Sequence, residues 1–303
     1  SPILKKILIA GGTGFIGYHL AKQSIKKGWS VTSISSKSPK KYRYLKDVKY
    51  IICDVSKKKM IKKKLKNNYN FVVNLSGNVE HNNKKKTYKS HYVGCRNLAD
   101  FFEKKKLESF IQIGSSTEYG KIKSPHKENS SCSPKSTYGY SKFLASVYLI
   151  NLFEKKKFPA TILRLYQVYG PKQDPNRILS SVILGCIKSE KIPCSHGRQF
   201  RDFIFVEDVI KAIFKSLKNK KAKGKIFNIG SAKPIKIKTV INKIKKIIKK
   251  GEPIFGKIKL RKEENLKIYP NISKAKKELK WFPKYSFSKG LNITINSYLK
   301  EGY

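Results

Sequence analysis

Residues 138–142 read Tyr-Gly-Tyr-Ser-Lys. Tyr138 and Lys142 stand four apart, the spacing that puts two side chains on one face of a helix. A phenol is a poor acid–base group at neutral pH because it titrates near about 10. An ammonium group close by favours the phenolate and lowers that value. A tyrosine so placed can exchange a proton with a hydroxyl or a ketone. Upstream, Ser115 opens the run Ser115-Ser116-Thr117-Glu118-Tyr119-Gly120 behind a predicted strand. Its hydroxyl could hold the same oxygen by a hydrogen bond. A Tyr–Lys pair alone is commonplace in helices, and this one gains meaning from a glycine loop near the N-terminus.

That loop lies in ILIAGGTGFIGYHLA, with Gly11, Gly14 and Gly17 between a strand and a helix. Glycines permit a tight turn and a close approach of backbone to a pyrophosphate. The helix N-terminus, at Phe15 and Ile16, then supplies free N–H groups and the positive end of a dipole. The spacing is GxxGxxG rather than the commoner GxGxxG. Around it the pattern predicts strands at Ile3–Ala10, Ser30–Ser35, Tyr50–Asp54, Phe71–Leu75, Ser109–Ile113 and Ala160–Tyr166. Helices are expected after Gly14, after Asp54, near Tyr88–Lys105 and over Tyr138–Lys156. Repeated βα units imply an α/β fold, a Rossmann-type doubly wound parallel sheet with helices on both faces. After residue 167 the pattern loosens into short strands with Pro and Gly, which predicts a smaller C-terminal α/β region and a cleft between the two.

The chain has 303 residues, 39% of them hydrophobic, enough for a sizeable core. No 20-residue apolar run suggests a transmembrane helix. The start, SPILKKILIAGG, has too short an apolar stretch for a signal peptide, and its lack of Met suggests a trimmed or incomplete N-terminus. Five cysteines with no CxxC pair point to a reduced, cytoplasmic protein without a metal site. The net charge is +49. Nucleic acid is one reading of such a charge. A general compositional bias is the other, and the spread of lysines over helix faces and turns favours it. In either case the field would draw in an anionic substrate. Only seven of the 68 basic residues are Arg, so each is a candidate for bidentate phosphate contact, which Lys makes poorly.

At this point the chain resembles a family. GGTGFIG, SSTEYG and YxxxK look like the extended short-chain dehydrogenase/reductases, the nucleotide-sugar epimerase/dehydratase group. LRLYQVYGP (163–171), GRQFRDFIFVEDV (197–209), FNIG (227–230) and NISKAKKELKW (271–281) look like its later landmarks. The resemblance implies a dinucleotide-binding domain over 1–166. It implies a mainly sugar-nucleotide-binding domain over 167–303, with some segments returning to the first. It makes Ser115, Tyr138 and Lys142 catalytic, Asp54 with Val55 an adenine-side contact, and Leu75, Ser76 and Gly77 a nicotinamide-side loop. The Tyr88–Lys105 and Tyr138–Lys156 helices carry apolar residues on more than one face. In the family such helices pair across a two-fold, which implies a homodimer, and a thicker monomer core is the other reading.

Departures from the family pattern narrow the reaction. The group's 4,6-dehydratases carry an Asp-Glu pair where this chain has Ser116 and Thr117. Glu118 is displaced by one residue and is expected to turn to the other face, as a structural or exposed acid. Dehydration is therefore disfavoured, which leaves 4-epimerisation or ketone reduction. His91 and Gln167 stand where the family often has Asn. Gln167 is expected near the pyrophosphates and His91 as a structural substitute. Ser116, Thr117, Gln167, Arg177, Arg201 and Arg261 are the substrate-side candidates, Arg201 the strongest. Asp208 is expected to be an N-terminal helix acid, and Arg198 a surface residue.

The cofactor is read from what is missing. The second strand of such folds commonly ends in an acid that holds a ribose hydroxyl. Here Ser35, Ser36 and Lys37 stand there, with Lys40, Lys41 and Arg43 beyond. A serine removes the repulsion of a 2′-phosphate, so NADP(H) is favoured over NAD(H). Released NADPH suits a reductase of a 4-keto-6-deoxy sugar, similar to those of surface polysaccharide synthesis. A tightly held NAD suits a 4-epimerase or C4 dehydrogenase. A non-catalytic nucleic-acid-binding protein is the remote third reading.

Overall fold

The computed structural model describes residues 4–66, 68–77, 82–260 and 265–302. The first half alternates as the pattern predicts. Strands β1 (Lys6–Ala10), β2 (Ser30–Ser35), β3 (Val48–Ile52), β4 (Phe71–Asn74), β5 (Ser109–Ser115) and β6 (Ala160–Leu165) are interleaved with helices α1 (Phe15–Lys26), α2 (Lys58–Lys64), α3 (Lys84–Tyr88), α4 (Gly94–Glu103) and α5 (Thr137–Lys156). The expected Tyr88–Lys105 helix differs in detail: a π-helical turn, Lys89–Val93, separates α3 from α4. The third strand also ends two residues early. Asp54 leaves the ladder, and its Oδ1 instead accepts hydrogen bonds from the amide and the hydroxyl of Ser56.

Beyond β6 lie β7 (Gln167–Tyr169), α6 (Ile178–Ile187), β8 (Lys191–Pro193), β9 (Phe200–Arg201), β10 (Phe203–Phe205), α7 (Val206–Lys218) and β11 (Ile226–Ile229). They are followed by β12 (Ile235–Lys236), α8 (Ile237–Ile248), β13 (Glu252–Ile254), β14 (Lys267–Ile268), α9 (Ser273–Glu278) and α10 (Phe287–Lys300). One seven-stranded sheet, ordered β11-β6-β5-β4-β1-β2-β3 and parallel throughout, organises the molecule. Its last strand, β11, comes from far along the chain and pairs with β6. The other strands form two- and three-stranded sheets.

Residues along the central strands alternate between two cores, as side chains of a pleated strand must. Ile7 and Ile9 of β1 join Leu20 and Ala21 of α1 and Val209 and Ile213 of α7 on one face. Leu8 and Ala10 join Leu98 and Phe102 of α4 and Leu149 of α5 on the other. A third core, built by α6, α8 and α10 around Tyr169, Ile183, Ile241 and Leu291, sits under the second half. The chain runs to one edge through β2 and β3, then restarts at β4 on the other side of β1. Ligands of such sheets bind at that reversal, beyond the carboxyl ends of the strands. No helix among the described residues is long and apolar enough to cross a membrane.

Candidate active site

The glycine loop leaves β1 at the reversal. Gly11 has φ +78°, a left-handed conformation that favours glycine. A Cβ there would lie 2.7 Å from the backbone carbon of Leu75, so the glycine loop and the Leu75–Gly77 loop lie in contact. Gly17 packs α1 onto the loop: its Cβ would stand 2.6 Å from the Cα of Gly12. Around Gly14, by contrast, the nearest protein atom would be 3.6 Å from a Cβ. No side chain caps α1 and no acid stands in its first turn, which leaves its amides to an anion. The cradle fits the pyrophosphate of a dinucleotide, with Gly11, Gly14 and the amides of Phe15, Ile16 and Gly17 as the groups that would hold it.

Ser35 closes β2, and its Oγ accepts a hydrogen bond of 2.9 Å from Thr13 Oγ1. Ser36 and Lys37 are exposed beside it, as are Lys40 and Lys41. Arg43 corrects the expectation of a phosphate ligand. It is 4% exposed, and its guanidinium donates to the carbonyl of Lys172 and to Asp174 Oδ1, far from its place in sequence. Val55 is buried against Gly94, and its carbonyl accepts from Asn97.

The serine, tyrosine and lysine converge. Tyr138 lies in the first turn of α5, held by Ser136, whose hydroxyl accepts from the Gly139 amide. The Ser115 side chain stands close enough to the Tyr138 phenol to act on its titration, and Lys142 Nζ lies 6.0 Å from the centre of the tyrosine ring. Lys142 is buried, and its Nζ donates to the carbonyl of Ile113 at 2.8 Å. Burial pushes the Tyr138 phenol above its ordinary value, opposed by the Ser115 hydrogen bond and the Arg177 charge. The sequence expectation of a lowered phenol is therefore not met: burial outweighs the charges that would lower it. Lys142 is lowered to about 8 by burial, with Glu118 opposing. His91, in the π-helical turn, sets its ring edge-on to Tyr138 at 4.8 Å and packs against Gly77.

Ser116–Glu118 is a 3-10 turn, not a continuing strand. Glu118 is fully buried. Its Oε2 accepts from the Ser115 amide at 2.9 Å, its Oε1 accepts from Ser146 Oγ at 2.6 Å, and Arg164 Nε approaches Oε1 at 3.0 Å without hydrogen-bond geometry. The carboxylate thus faces inward, behind the serine, while Ser116 is half-buried and Thr117 exposed. Thr117 Oγ1 donates to Ser115 Oγ at 2.7 Å.

Gln167, Gln173, Asn176, Arg177 and Phe203 line a cleft of about 250 Å³, with Arg177 near enough for its charge to act on Tyr138. Gln173 and Asn176 carry no signal in periodicity or charge and are found only in three dimensions. Arg201 is buried, and its Nη1 donates to the Phe200 carbonyl. Its neighbour Asp202 accepts from the Ser231 and Ala232 amides and is pushed up to about 6 by burial. Asp208, in the first turn of α7, accepts from the Lys284 and Tyr285 amides. Arg198 is exposed, and Arg261 lies outside the described residues.

Residues 7–230 match the family model described as the NAD dependent epimerase/dehydratase family. The chain belongs to that family. This epimerase/dehydratase family member is 28% identical to a putative UDP-glucose 4-epimerase of Methanocaldococcus jannaschii, over 96% of this chain and 97% of the relative. It is 27% identical to the CDP-abequose synthase of Salmonella muenchen over the same shares. The structure superposes on the UDP-glucuronic acid 4-epimerase of Bacillus cereus, solved with UDP-glucuronic acid and NAD, at a TM-score of 0.87 and 25% identity. That match covers 98% of this chain and all of the other (100%).

Proposed function

We propose that this family member moves a hydride at C4 of a nucleotide-linked hexose, and that it works as an NADPH-dependent reductase of a 4-keto-6-deoxy sugar. The observation that carries the reading is the Ser115–Tyr138–Lys142 cluster with its nearby carboxylate locked away. Dehydration needs an acid–base pair beside the serine. Ser116 and Thr117 stand there instead, and Glu118 is committed to Arg164, Ser146 and the Ser115 amide. What remains is proton exchange at one oxygen.

A nicotinamide dinucleotide held on the glycine cradle would supply the hydride. Tyr138, kept protonated by burial, gives its proton to the C4 oxygen as charge develops there. Ser115 holds that oxygen by a hydrogen bond. The phenolate left behind is stabilised by Ser115 and by the positive charge of Arg177 and Lys142. Arg177 and Gln167, on the cleft wall, suit the diphosphate of the sugar nucleotide. Two relatives whose names carry UDP- and CDP-linked sugars support that substrate class.

Ser35 supports NADPH, since a hydroxyl at the end of β2 leaves room for a 2′-phosphate where a carboxylate would repel it. A second reading, an NAD-dependent 4-epimerase, is favoured by two observations: Arg43 is withdrawn from the β2 loop, and a 25%-identical structure of an epimerase holds NAD. Denaturing the purified protein and identifying the released dinucleotide separates them. Stoichiometric NAD would overturn the reductase. An empty site that prefers NADPH, turnover that vanishes in Tyr138→Phe, and a shift towards NADH in Ser35→Asp are the expected results.

A further inference from the structure

Segment 170–177 links two regions that the sequence reads separately. Its far end, at Gln173, Asn176 and Arg177, forms a wall of the cleft. Its near end is gripped by the nucleotide-side elements. His19 of α1, one turn beyond the glycine loop, meets the Pro171 carbonyl through Nε2 at 2.6 Å. Arg43, in the 3-10 turn Lys41–Arg43 after β2, donates through Nε and Nη2 to the Lys172 carbonyl at 3.0 and 2.6 Å. The same Nη2 pairs with Asp174 at 2.8 Å. Lys172 itself has φ +73°, uncommon for a residue with a Cβ, and its ammonium pairs with Glu301 at 2.9 Å. An unfavourable backbone conformation persists only where its surroundings hold it, and here the carbonyl of the strained residue is the atom that Arg43 clasps.

Arginine suits this task. One planar fork reaches a carbonyl and a carboxylate together, which a lysine ammonium cannot match. In a chain that uses lysine almost everywhere, an arginine buried at this junction marks a geometric need. We infer that Arg43 is a positioning residue for the substrate cleft. By clasping Lys172 and Asp174 it fixes segment 170–177 to the loop that follows β2, and so sets Gln173, Asn176 and Arg177 over the substrate. It is not a ligand of the cofactor phosphate. The substrate side of this statement rests on the proposed function above.

The test uses Arg43→Ala and Asp174→Asn in the full chain, the second being a gentler change at a part-exposed partner. NADPH and NADH affinities are measured by fluorescence and should stay within about twofold of wild type, because both side chains are engaged in the clasp on segment 170–177. Backbone hydrogen exchange over 171–177 should quicken by about tenfold in Arg43→Ala, and less in Asp174→Asn, without a matching change over α5. The KM for the sugar nucleotide should rise about fivefold or more, with kcat little changed. A selective loss of NADPH affinity with exchange unchanged would make Arg43 a phosphate ligand and overturn the inference. Quickened exchange with an unchanged KM would overturn the positioning role. A wild-type protein that turns over no sugar nucleotide would refute the functional reading, while the exchange and cofactor measurements still decide the clasp.

Discussion

Glu118 has no water to share its charge, so it must be either paired or protonated. Arg164 at 3.0 Å, the Ser115 amide and Ser146 are the partners that face its carboxylate. That charge in turn opposes the fall of Lys142, whose ammonium loses its proton near pH 8 rather than near its ordinary value. Removing the charge while keeping an acceptor should therefore lower Lys142 further. In Glu118→Gln the alkaline limb of the kcat–pH profile should move to lower pH by about one unit. An unmoved limb would show that Lys142 is not the group that titrates. Glu118→Ala should cost about 3–5 kcal/mol in urea unfolding, because it leaves the Arg164 charge buried and unpaired. Sequence placed this acid away from the reacting face but not its partners. Arg164 lies on the neighbouring strand β6, and no local pattern joins positions 118 and 164.

Elements of the first half were legible because their periods are long and their punctuation is strong. β2 has the predicted bounds, Ser30–Ser35, and α5 begins one residue from its expected start. What the pattern could not show was irregularity that only tertiary contact sustains: the π-helical turn that sets His91 against Tyr138, and the 3-10 turn that sends Glu118 inward. The glycine loop offers the clearest experiment at this scale, because its glycines differ in what surrounds them. A methyl group on Gly17 would press α1 off the loop, at 2.6 Å from Gly12. Gly17→Ala should lose about 1–3 kcal/mol of stability together with dinucleotide affinity. A methyl group on Gly14 meets nothing closer than 3.6 Å within the protein. Gly14→Ala should lower the thermal midpoint by only about 1–3 °C, since exchanging a glycine N-cap for alanine costs roughly 0.5–1 kcal/mol. It should still weaken dinucleotide binding where the pyrophosphate would lie. Unchanged affinity in Gly14→Ala, measured by fluorescence titration, would remove the pyrophosphate from that loop.

Across the whole molecule, legibility fell where strands became too short to carry a period. β9, β12 and β14 have two residues each, and they find their places by pairing with one another. Pairing at long range also misled the reading of Arg43, which follows Lys40 and Lys41 closely in sequence but whose hydrogen-bond partners lie beyond residue 170. Charge acts at the same scale. With 68 basic and 19 acidic residues, most lysines have no carboxylate to meet, and like charges at a net +49 repel in the compact state more than in the expanded one. Salt shortens the reach of that repulsion, the Debye length falling from about 30 Å at 0.01 M to about 8 Å at 0.15 M. The thermal midpoint should therefore rise by several degrees over that range, equivalent to about 1–2 kcal/mol. Raising the pH acts in the same direction. Lys142 and Lys223 are lowered to about 8 by burial, below their usual value of about 10.4 in an unfolded chain. Between those limits the unfolded chain binds more protons, so stability climbs with pH. Calorimetry in sodium chloride at pH 7 and pH 9 should show both rises, with the salt effect smaller at the higher pH because fewer charges remain. A midpoint that ignored sodium chloride but rose with an oligophosphate at matched ionic strength would mean that the basic surface binds anions at a defined place.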